Sequence, residues 1–250
     1  MSQLGSFEPA IKAVVIGASG GIGGALTEAL AMDPRVDRIL ALSRSGRVPA
    51  ATKVEAGRLD AEDGPDVLAA AELARDRLGE IDLVLVATGV LQDEARGIRP
   101  ERTWRTIDPD AMARVFMTNT IAPALVLKHI LPLLARDRKS VAGVLSARVG
   151  SIADNRLGGW HSYRASKAAL NMLIRCFALE LRRNNPGALC IGLHPGTVAT
   201  PLSAPFQASV DAAKLFTPAF AAERLLDVID RLGPADSGGV FAWDGARIPE

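Results

Sequence analysis

The chain has 250 residues, of which 48% are hydrophobic and 4% aromatic, and its formal net charge at pH 7 is +1. This length suits one α/β domain, and the near-neutral charge favours neither a nucleic-acid-binding nor a membrane-surface protein. The first twelve residues lack the basic and apolar regions of a signal peptide, and no apolar run approaches the roughly 18 residues of a membrane span. Two cysteines and three histidines show no metal-ligand spacing. We therefore expect a cytoplasmic protein with no metal site, no nucleic-acid partner and no membrane partner.

A glycine-rich turn follows the first predicted strand. Residues 12–16 are a short apolar run typical of a buried strand, and a helical segment covers residues 25–32. Between them stands Gly-Ala-Ser-Gly-Gly-Ile-Gly. A strand, a glycine turn and a helix N-terminus in this order are typical of dinucleotide binding, because the backbone can approach a pyrophosphate closely. The spacing fits G-x-x-x-G-x-G through Gly17, Gly21 and Gly23, and also G-x-x-G-x-x-G through Gly17, Gly20 and Gly23.

The end of the second predicted strand, 36–42, indicates which dinucleotide binds. An acidic residue at this point binds the ribose 2′-hydroxyl of NAD, whereas an arginine accommodates the 2′-phosphate of NADP. The chain has no Asp or Glu between Ile39 and Val54, and it has Arg44 and Arg47. We therefore expect NADP(H) in preference to NAD(H), with Arg44 at the 2′-phosphate. The alternative is that Arg44 is a solvated loop charge.

Strands and helices alternate through the rest of the chain. Further strands are predicted at 53–59, 81–87, 141–146, 188–193 and 239–243, and helices at 61–78, 109–134, 161–183 and 218–232. The alternation predicts one domain over 1–250, an α/β fold with a parallel sheet and helices on both faces. Pro123 predicts a kink, or a break in the backbone hydrogen bonding near Asn119. The irregular stretch 200–217 is a candidate substrate lid.

The predicted helix 161–183 carries a candidate acid–base pair. Tyr163 and Lys167 are four residues apart, so they project from one helix face. A free phenol titrates near pH ~10, and a fixed cation beside it is expected to lower its pKa towards the range useful for catalysis. The pattern Tyr-x-x-x-Lys also occurs on ordinary amphipathic helices, so its weight comes from the motifs around it.

Five motifs occur in the order found in short-chain dehydrogenases/reductases, which the chain resembles. They are the glycine turn 17–23, Asn119, Ser151, Tyr163-x-x-x-Lys167 and Pro195-Gly196-Thr197. Within the family, residues 146–155 and Asp244-Gly245 are similar to the subgroup named after bacterial C-factor. The resemblance implies a Rossmann-type doubly wound sheet of about seven strands in the order 3-2-1-4-5-6-7. It also implies an oxidoreductase that interconverts a carbonyl and a secondary alcohol.

The resemblance implies a role for each motif residue. Tyr163 exchanges a proton with the substrate oxygen, Lys167 lowers the pKa of Tyr163, Ser151 donates a hydrogen bond to that oxygen, and Asn119 holds a water on a proton path. The implied cofactor-binding residues are Gly17, Ser19, Gly21, Ile22, Gly23, Arg44, Asp60, Thr88, Gly89, Tyr163, Lys167, Pro195, Gly196, Val198 and Thr200. A homodimer or homotetramer is implied as well, and the largely apolar helices 109–134 and 161–183 favour it independently.

Some positions depart from the family pattern or leave alternatives open. Ile16 stands where the family usually has Thr, and Val-Ala-Thr-Gly at 86–89 replaces Asn-Asn-Ala-Gly. Ser151 precedes Tyr163 by 12 residues and Ser146 precedes it by 17, so Ser151 is the favoured catalytic serine. The alternative function is a nucleotide-binding signalling protein of C-factor type without turnover.

The substrate is not predicted. The loops expected to shape its pocket are 91–105, 148–160 and 200–217. Their apolar side chains, Leu157, Trp160, Phe206 and Phe216, suit an apolar lining or ordinary packing. Arg148 and Arg156 either orient an acidic group of the substrate or pair with Asp154.

Overall fold

Parallel strand pairing organises the molecule. The computed structural model describes residues 4–209 and 211–250. Its strands are β1 (Ile11–Ile16), β2 (Val36–Ser43), β3 (Val54–Arg58), β4 (Leu83–Val86), β5 (Ser140–Leu145), β6 (Ala188–His194), β7 (Thr197–Val198), β8 (Leu215–Phe216) and β9 (Val240–Ala242). In the described residues, seven of them form one sheet in the order β3-β2-β1-β4-β5-β6-β9. Every neighbouring pair in it is parallel, which confirms the predicted fold class and strand order.

Helices cover both faces of this sheet. They are α1 (Gly21–Met32), α2 (Gly64–Leu78), α3 (Pro109–Phe116), α4 (Ala122–Ile130), α5 (His161–Asn184) and α6 (Pro218–Arg231). On β1, Val14 and Ile16 join a buried cluster with residues of α2, α4 and α5. Ala13 and Val15 join a second cluster with residues of α1 and α6. Burial on both faces explains why the strands are continuous apolar runs.

The long helical stretch breaks where Pro123 lies near its middle. A π-helical turn, Met117–Ile121, separates α3 from α4, and the Ala122 N–H donates to the Met117 carbonyl. Pro123 has no N–H to donate to the carbonyl of Asn119, four residues earlier, so the regular pattern cannot continue. The predicted break is confirmed, and it brings Asn119 to a fully buried position.

One segment of the described chain, Pro109–Leu133, is long and apolar enough to cross a membrane by length and composition alone. The expectation that no apolar run approaches that length is therefore wrong for this segment. Val126 and Leu127 within it belong to the core beneath the sheet. Since burial in a core explains the same composition, we interpret the segment as a core helix.

The stretch 200–217 has short regular elements. It forms 3₁₀ turns at Ala204–Ser209 and Ala212–Lys214, followed by β8; residue 210 lies outside the described residues. β8 pairs with β7 in a separate two-stranded sheet. The sequence did not predict this pairing, because two-residue strands have no periodicity to recognise.

We predict opposite effects for two adjacent glycines at the start of α1. A Cβ at Gly23 would overlap the Gly17 carbonyl oxygen, whereas a Cβ at Gly24 would lie 3.4 Å from the Ala18 oxygen. Gly23→Ala is therefore expected to lower the free energy of unfolding by about 2 kcal/mol. Gly24→Ala is expected to raise it by about 0.5 kcal/mol, because alanine stabilises a helix interior. Urea unfolding of both variants is the measurement, and equal midpoints would contradict the packing described here.

Candidate functional site

The glycine turn is held between the carboxyl ends of three strands. The N–H of Gly17 donates to the Leu42 carbonyl of β2 at 2.9 Å. Gly17 has a φ of +86°, and a Cβ there would lie 2.9 Å from the Ala87 carbonyl oxygen just after β4. Only glycine suits this position, so the chain can turn tightly against the sheet edge.

The N-terminus of α1 is open to a ligand. Its N-cap, Gly20, makes no side-chain capping bond, and the first turn has no acidic residue. Ser19, Gly20 and Gly21 are exposed. Free backbone N–H groups and the positive end of the helix dipole attract a phosphate group. A Cβ at Gly21 would lie 2.6 Å from the Thr200 Cγ2, so Thr200 lies against this turn.

Arg44 and Asp60 lie at the same end of the sheet. Arg44 directly follows β2 and is exposed, and its guanidinium has no hydrogen bond or ion pair with the other described residues. The N–H of Leu59 donates to the Ser43 carbonyl at 3.0 Å, which brings the next residue, Asp60, close to Arg44. Asp60 Oδ1 accepts a hydrogen bond from the Glu62 N–H at 3.1 Å. An unpaired guanidinium at this point suits a phosphate.

Thr88 has an unsatisfied polar atom. Its Oγ1 is buried and has no hydrogen-bond partner among the described residues. Buried hydroxyls normally find a partner, so this one is a candidate contact for a bound molecule. The Thr88 hydroxyl is consistent with the chemistry of a bound dinucleotide, as are the open N-terminus of α1 and the unpaired Arg44.

Lys167 lies at the centre of the candidate catalytic residues. Its Nζ is buried and donates to the Leu145 carbonyl at the end of β5, at 2.8 Å. A Cβ at Gly89 would lie 3.7 Å from this Nζ and 3.5 Å from the Asn119 Oδ1. Asn119 in turn holds Val90 through two hydrogen bonds of 2.8 Å, one to its N–H and one to its carbonyl. The π-helical turn, the loop after β4 and α5 therefore meet at Lys167.

Tyr163 and Lys167 share a helix face, but the expected pKa effect is wrong for the structure described here. The Nζ lies 6.0 Å from the centroid of the Tyr163 ring, since the ammonium is directed to the Leu145 carbonyl. Burial raises the pKa of Tyr163 to about 12. Burial also lowers the pKa of Lys167 to about 8. Desolvation thus dominates both groups, and the phenol is protonated at neutral pH.

The two candidate serines differ in their hydrogen bonds. Ser146 donates its hydroxyl proton to the Asn171 Oδ1 at 2.5 Å. Ser151 accepts a bond from the Asp154 N–H at 3.1 Å, which leaves its own proton free to be donated. Ser151 follows a 3₁₀ turn that packs tightly on α5, since a Cβ at Gly150 would lie 2.8 Å from the Lys167 Cβ.

The chain after β6 supplies the remaining predicted residues. Gly196 has a φ of +78°, and a Cβ there would lie 2.7 Å from the Phe216 ring. Pro195 and Val198 are buried, so their side chains pack beneath the sheet edge. His194, at the end of β6, has its pKa lowered to about 4 by burial and by the positive charge of Arg148. It is therefore neutral, and the sequence reasoning did not single it out.

The loop arginines are largely paired. Arg148 forms an ion pair with Asp154 at 3.1 Å, the second of the two predicted alternatives. Arg156 donates to the Asn155 carbonyl at 3.3 Å. Arg96 makes a two-pronged contact with Glu62, its closer nitrogen at 2.9 Å. This last pair ties the loop 91–105 to the start of α2.

Two residues that position α5 were missed from the sequence. The buried Glu101 carboxylate accepts hydrogen bonds from the N–H and the hydroxyl of Ser162 at the start of α5. Arg164 Nε donates to the carbonyls of Gly158 and Gly159 at 3.1 and 3.0 Å. The Glu101 contact joins segments far apart in sequence, and the Arg164 contact joins a side chain to a loop backbone. No local sequence pattern predicts either contact.

The model of the short chain dehydrogenase family matches residues 12–211. The chain belongs to the short-chain dehydrogenase/reductase family. It is 33% identical to a 1-hydroxy-2-glutathionyl-2-methyl-3-butene dehydrogenase of Rhodococcus sp. (strain AD45), over 94% of this chain and 97% of that protein. It is 36% identical to the C-signal protein of Myxococcus xanthus, over 57% of this chain and 81% of that one.

Solved structures of the family are similar over nearly the whole chain. An NADPH-bound carbonyl reductase from chicken fatty liver is 26% identical with a TM-score of 0.83, covering 98% of this chain and 96% of its own. A short-chain dehydrogenase/reductase of Burkholderia multivorans with bound NADP is 25% identical with a TM-score of 0.78, covering 97% and 100%. The fold of this chain is therefore the fold of these two structures.

We predict that burial of Lys167 makes stability depend on pH. Its pKa is 10.5 ordinarily and about 8 in the folded protein. Between these values the unfolded chain binds more protons, so the free energy of unfolding rises with pH. The free energy of unfolding of the wild type, minus that of Lys167→Met, should therefore increase by about 2 kcal/mol from neutral pH to about pH 10.

Urea unfolding at several pH values is the measurement. Lys128→Met, which removes an exposed lysine, is the control and should leave the difference from wild type constant. A constant difference for Lys167→Met as well would contradict the burial of this ammonium.

Proposed function

We propose that the protein is an NADP(H)-dependent oxidoreductase that interconverts a carbonyl and a secondary alcohol, with Tyr163 as general acid and base. The observation that carries the proposal is the meeting of Lys167, Asn119 and Gly89 at one sheet edge. Tyr163 lies one helical turn from Lys167 on α5, and the glycine turn lies at the same edge. A dinucleotide bound at this edge would have a proton donor beside it, which is the arrangement that hydride transfer to a carbonyl requires.

NADP(H) fits the residues at this edge. The open N-terminus of α1 suits the pyrophosphate, and the unpaired Arg44 suits a 2′-phosphate. The buried Thr88 hydroxyl lacks a partner among the described residues. The NADPH-bound chicken reductase and the NADP-bound Burkholderia protein support the same cofactor. When bound, NADPH supplies the hydride that reduces the carbonyl carbon, and it leaves as NADP⁺.

The side chains of this protein manage the proton. Because burial keeps the pKa of Tyr163 at about 12, the phenol is protonated at neutral pH and donates its proton to the substrate oxygen. The free hydroxyl proton of Ser151 forms a hydrogen bond to the same oxygen and stabilises its developing charge. Lys167, with its pKa lowered to about 8, returns a proton to Tyr163, and Asn119 fixes the loop after β4 beside it.

We also propose that the protein self-associates through α4 and α5, as a homodimer or homotetramer, in the cytoplasm. Ile121, next to α4, and Met172 and Leu179 on α5 are exposed large apolar side chains. A groove between the two helices is lined by Leu131 and Phe177, whereas Leu179 lies on another side of α5, beside Arg175 and Arg182. Burial of the exposed apolar side chains against a second copy removes apolar area from water.

A second function remains a candidate because of the similarity to the C-signal protein of Myxococcus xanthus. In that alternative the protein binds NADP(H) and acts as a signal without physiological turnover. The free proton of Ser151 and the protonated Tyr163 favour the enzyme. The Tyr163 variant below separates the two functions.

We predict that Arg44 sets the cofactor preference. In titrations that follow nicotinamide fluorescence, NADPH should bind at least about ten-fold more tightly than NADH, because an arginine–phosphate contact is charge-assisted. Arg44→Ala should remove this difference by weakening NADPH binding alone. Arg38→Ala, an exposed arginine towards the other end of β2, is the control. Equal binding of NADH and NADPH by the wild type would contradict the assignment of Arg44.

We predict that Tyr163→Phe lowers kcat for carbonyl reduction by about 10³-fold and changes the Kd for NADPH by about 3-fold at most, because the variant keeps the ring beside the cofactor and loses one hydroxyl, the proton donor. The chain has a single tyrosine, so no neighbouring phenol replaces it. Steady-state kinetics and the same fluorescence titration are the measurements.

Two serine variants provide the matched control for this prediction. Ser151→Ala should lower kcat by about 10²-fold, whereas Ser146→Ala should change it little, because the Ser146 proton is already donated to Asn171. If wild type and Tyr163→Phe bind NADPH equally and neither reduces any carbonyl, the enzyme proposal fails and the signalling alternative is favoured.

A further inference from the structure

Three successive residues before α5 adopt left-handed backbone conformations. Gly158, Gly159 and Trp160 have φ values of +62°, +66° and +50°. Glycine adopts such values freely, but a non-glycine residue such as Trp160 is strained in this region. Ala10 is the other non-glycine residue with a positive φ in the described chain. Strain of this kind persists where the surrounding structure enforces it, often at functional sites.

Hydrogen bonds enforce this conformation from two sides. The N–H of Trp160 donates to the Glu101 carbonyl at 2.6 Å. Arg164, one turn into α5, donates to the carbonyls of Gly158 and Gly159. The Arg164 Nη1 also reaches the Val149 carbonyl at 3.3 Å, in the loop that leads to the catalytic serine. The loop and the start of α5 therefore hold Trp160 in one orientation.

This orientation brings the Trp160 ring against Tyr163. The two ring centroids lie 6.3 Å apart with an interplanar angle of 81°, an edge-to-face contact. The Trp160 ring also lies 5.0 Å from the ring of Phe206, in the candidate lid. Loop 148–160 further exposes Ile152 and Leu157, the latter with 91% of its surface accessible. The rings of Trp160 and Phe206 thus form an aromatic wall beside Tyr163.

Three cations of loop 148–160 and the start of α5 already have hydrogen-bond partners, whereas Arg156 is exposed and donates only to the Asn155 carbonyl. Arg164 is occupied by three backbone carbonyls, and Arg148 by Asp154. Lys167 is directed to the Leu145 carbonyl. A carboxylate on the substrate close to the reacting carbonyl would have to compete with these bonds, so a neutral substituent is favoured.

We infer that Trp160 is a specificity-determining residue, and that the site takes neutral ketones with a flat aromatic group next to the carbonyl, or the corresponding alcohols. This inference rests on the proposed function and adds the substrate class to it. Trp160 and Phe206 stack on the aromatic group and hold the carbonyl oxygen towards Tyr163.

The test compares acetophenone with cyclohexyl methyl ketone, which has the same skeleton but a saturated, non-planar ring. Because the two ketones differ in intrinsic reactivity, the quantity measured is the change in their kcat/KM ratio between variants. Both variants place a non-glycine residue at the left-handed position, so they share its backbone strain. Trp160→Leu should lower the acetophenone preference about 5-fold, whereas Trp160→Phe should keep it, because phenylalanine retains an aromatic ring. Phe206→Leu should lower it in the same direction. Leu68→Ala, at an exposed apolar side chain of α2 outside the three pocket loops, should leave it unchanged.

An equal ratio in the wild type and in folded Trp160→Leu would overturn the inference. A wild type with a higher kcat/KM for benzoylformate than for its neutral methyl ester, which is intrinsically at least as reactive, would overturn it as well. In both outcomes the enzyme turns over carbonyls, so the proposed function stands.

A binding experiment separates failure of the inference from failure of the proposed function. Saturation-transfer NMR on the NADP⁺-saturated protein measures the Kd for acetophenone without turnover. Trp160→Leu should raise this Kd about 5-fold and Trp160→Phe should not. If this pattern appears but no carbonyl is reduced, the binding preference stands and the catalytic proposal fails. If acetophenone binds equally to wild type and Trp160→Leu, the inference fails whatever the turnover.

Discussion

One buried ammonium group, the Nζ of Lys167, connects the segments on which the site depends. It bonds to the end of β5 through Leu145, and Gly89 and Asn119 approach it closely from the loop after β4 and from the π-helical turn. A buried cation is costly unless its hydrogen bonds are satisfied, so this group fixes how these elements fit together. A side chain at position 150 would push against α5, because a Cβ on Gly150 would lie 2.8 Å from the Lys167 Cβ.

Desolvation then decides the acid–base state of the site. It raises the pKa of Tyr163 and lowers that of Lys167, which leaves a neutral proton donor beside a cation that can lose its proton. The strained turn at Trp160 contributes separately, since it directs an aromatic ring towards the same phenol. The proposed proton donor and the proposed specificity residue are thus adjacent in space, and both depend on the first turn of α5. Glu101 holds that turn from a distant loop.

Local patterns in the sequence predicted much of the fold. Apolar runs separated by helical periodicity predicted the seven-stranded parallel sheet, and Pro123 predicted the break that buries Asn119. The glycine turn and Tyr163 with Lys167 were predicted because their spacing along the chain is itself the signal. The direction of the Tyr163 pKa shift was wrong, because it depends on burial and on where the Lys167 ammonium bonds. Long-range contacts such as the hydrogen bonds from Ser162 to Glu101 have no local signature in the sequence. The left-handed conformation of Trp160 was not predicted either, because the two glycines before it indicate only a turn.

The most direct test of the account is hydrogen–deuterium exchange of the protein with and without NADPH. The central claim is that the cofactor lies along the carboxyl edge of the sheet, against the α1 N-terminus. The account predicts slower exchange with NADPH for amides in residues 17–24, 43–47, 86–90 and 194–200, since these backbones border the cleft. Helix α6 towards its C-terminus and strand β3 should not change. Protection confined to other surfaces, such as the groove between α4 and α5, or no protection with saturating NADPH, would contradict the account.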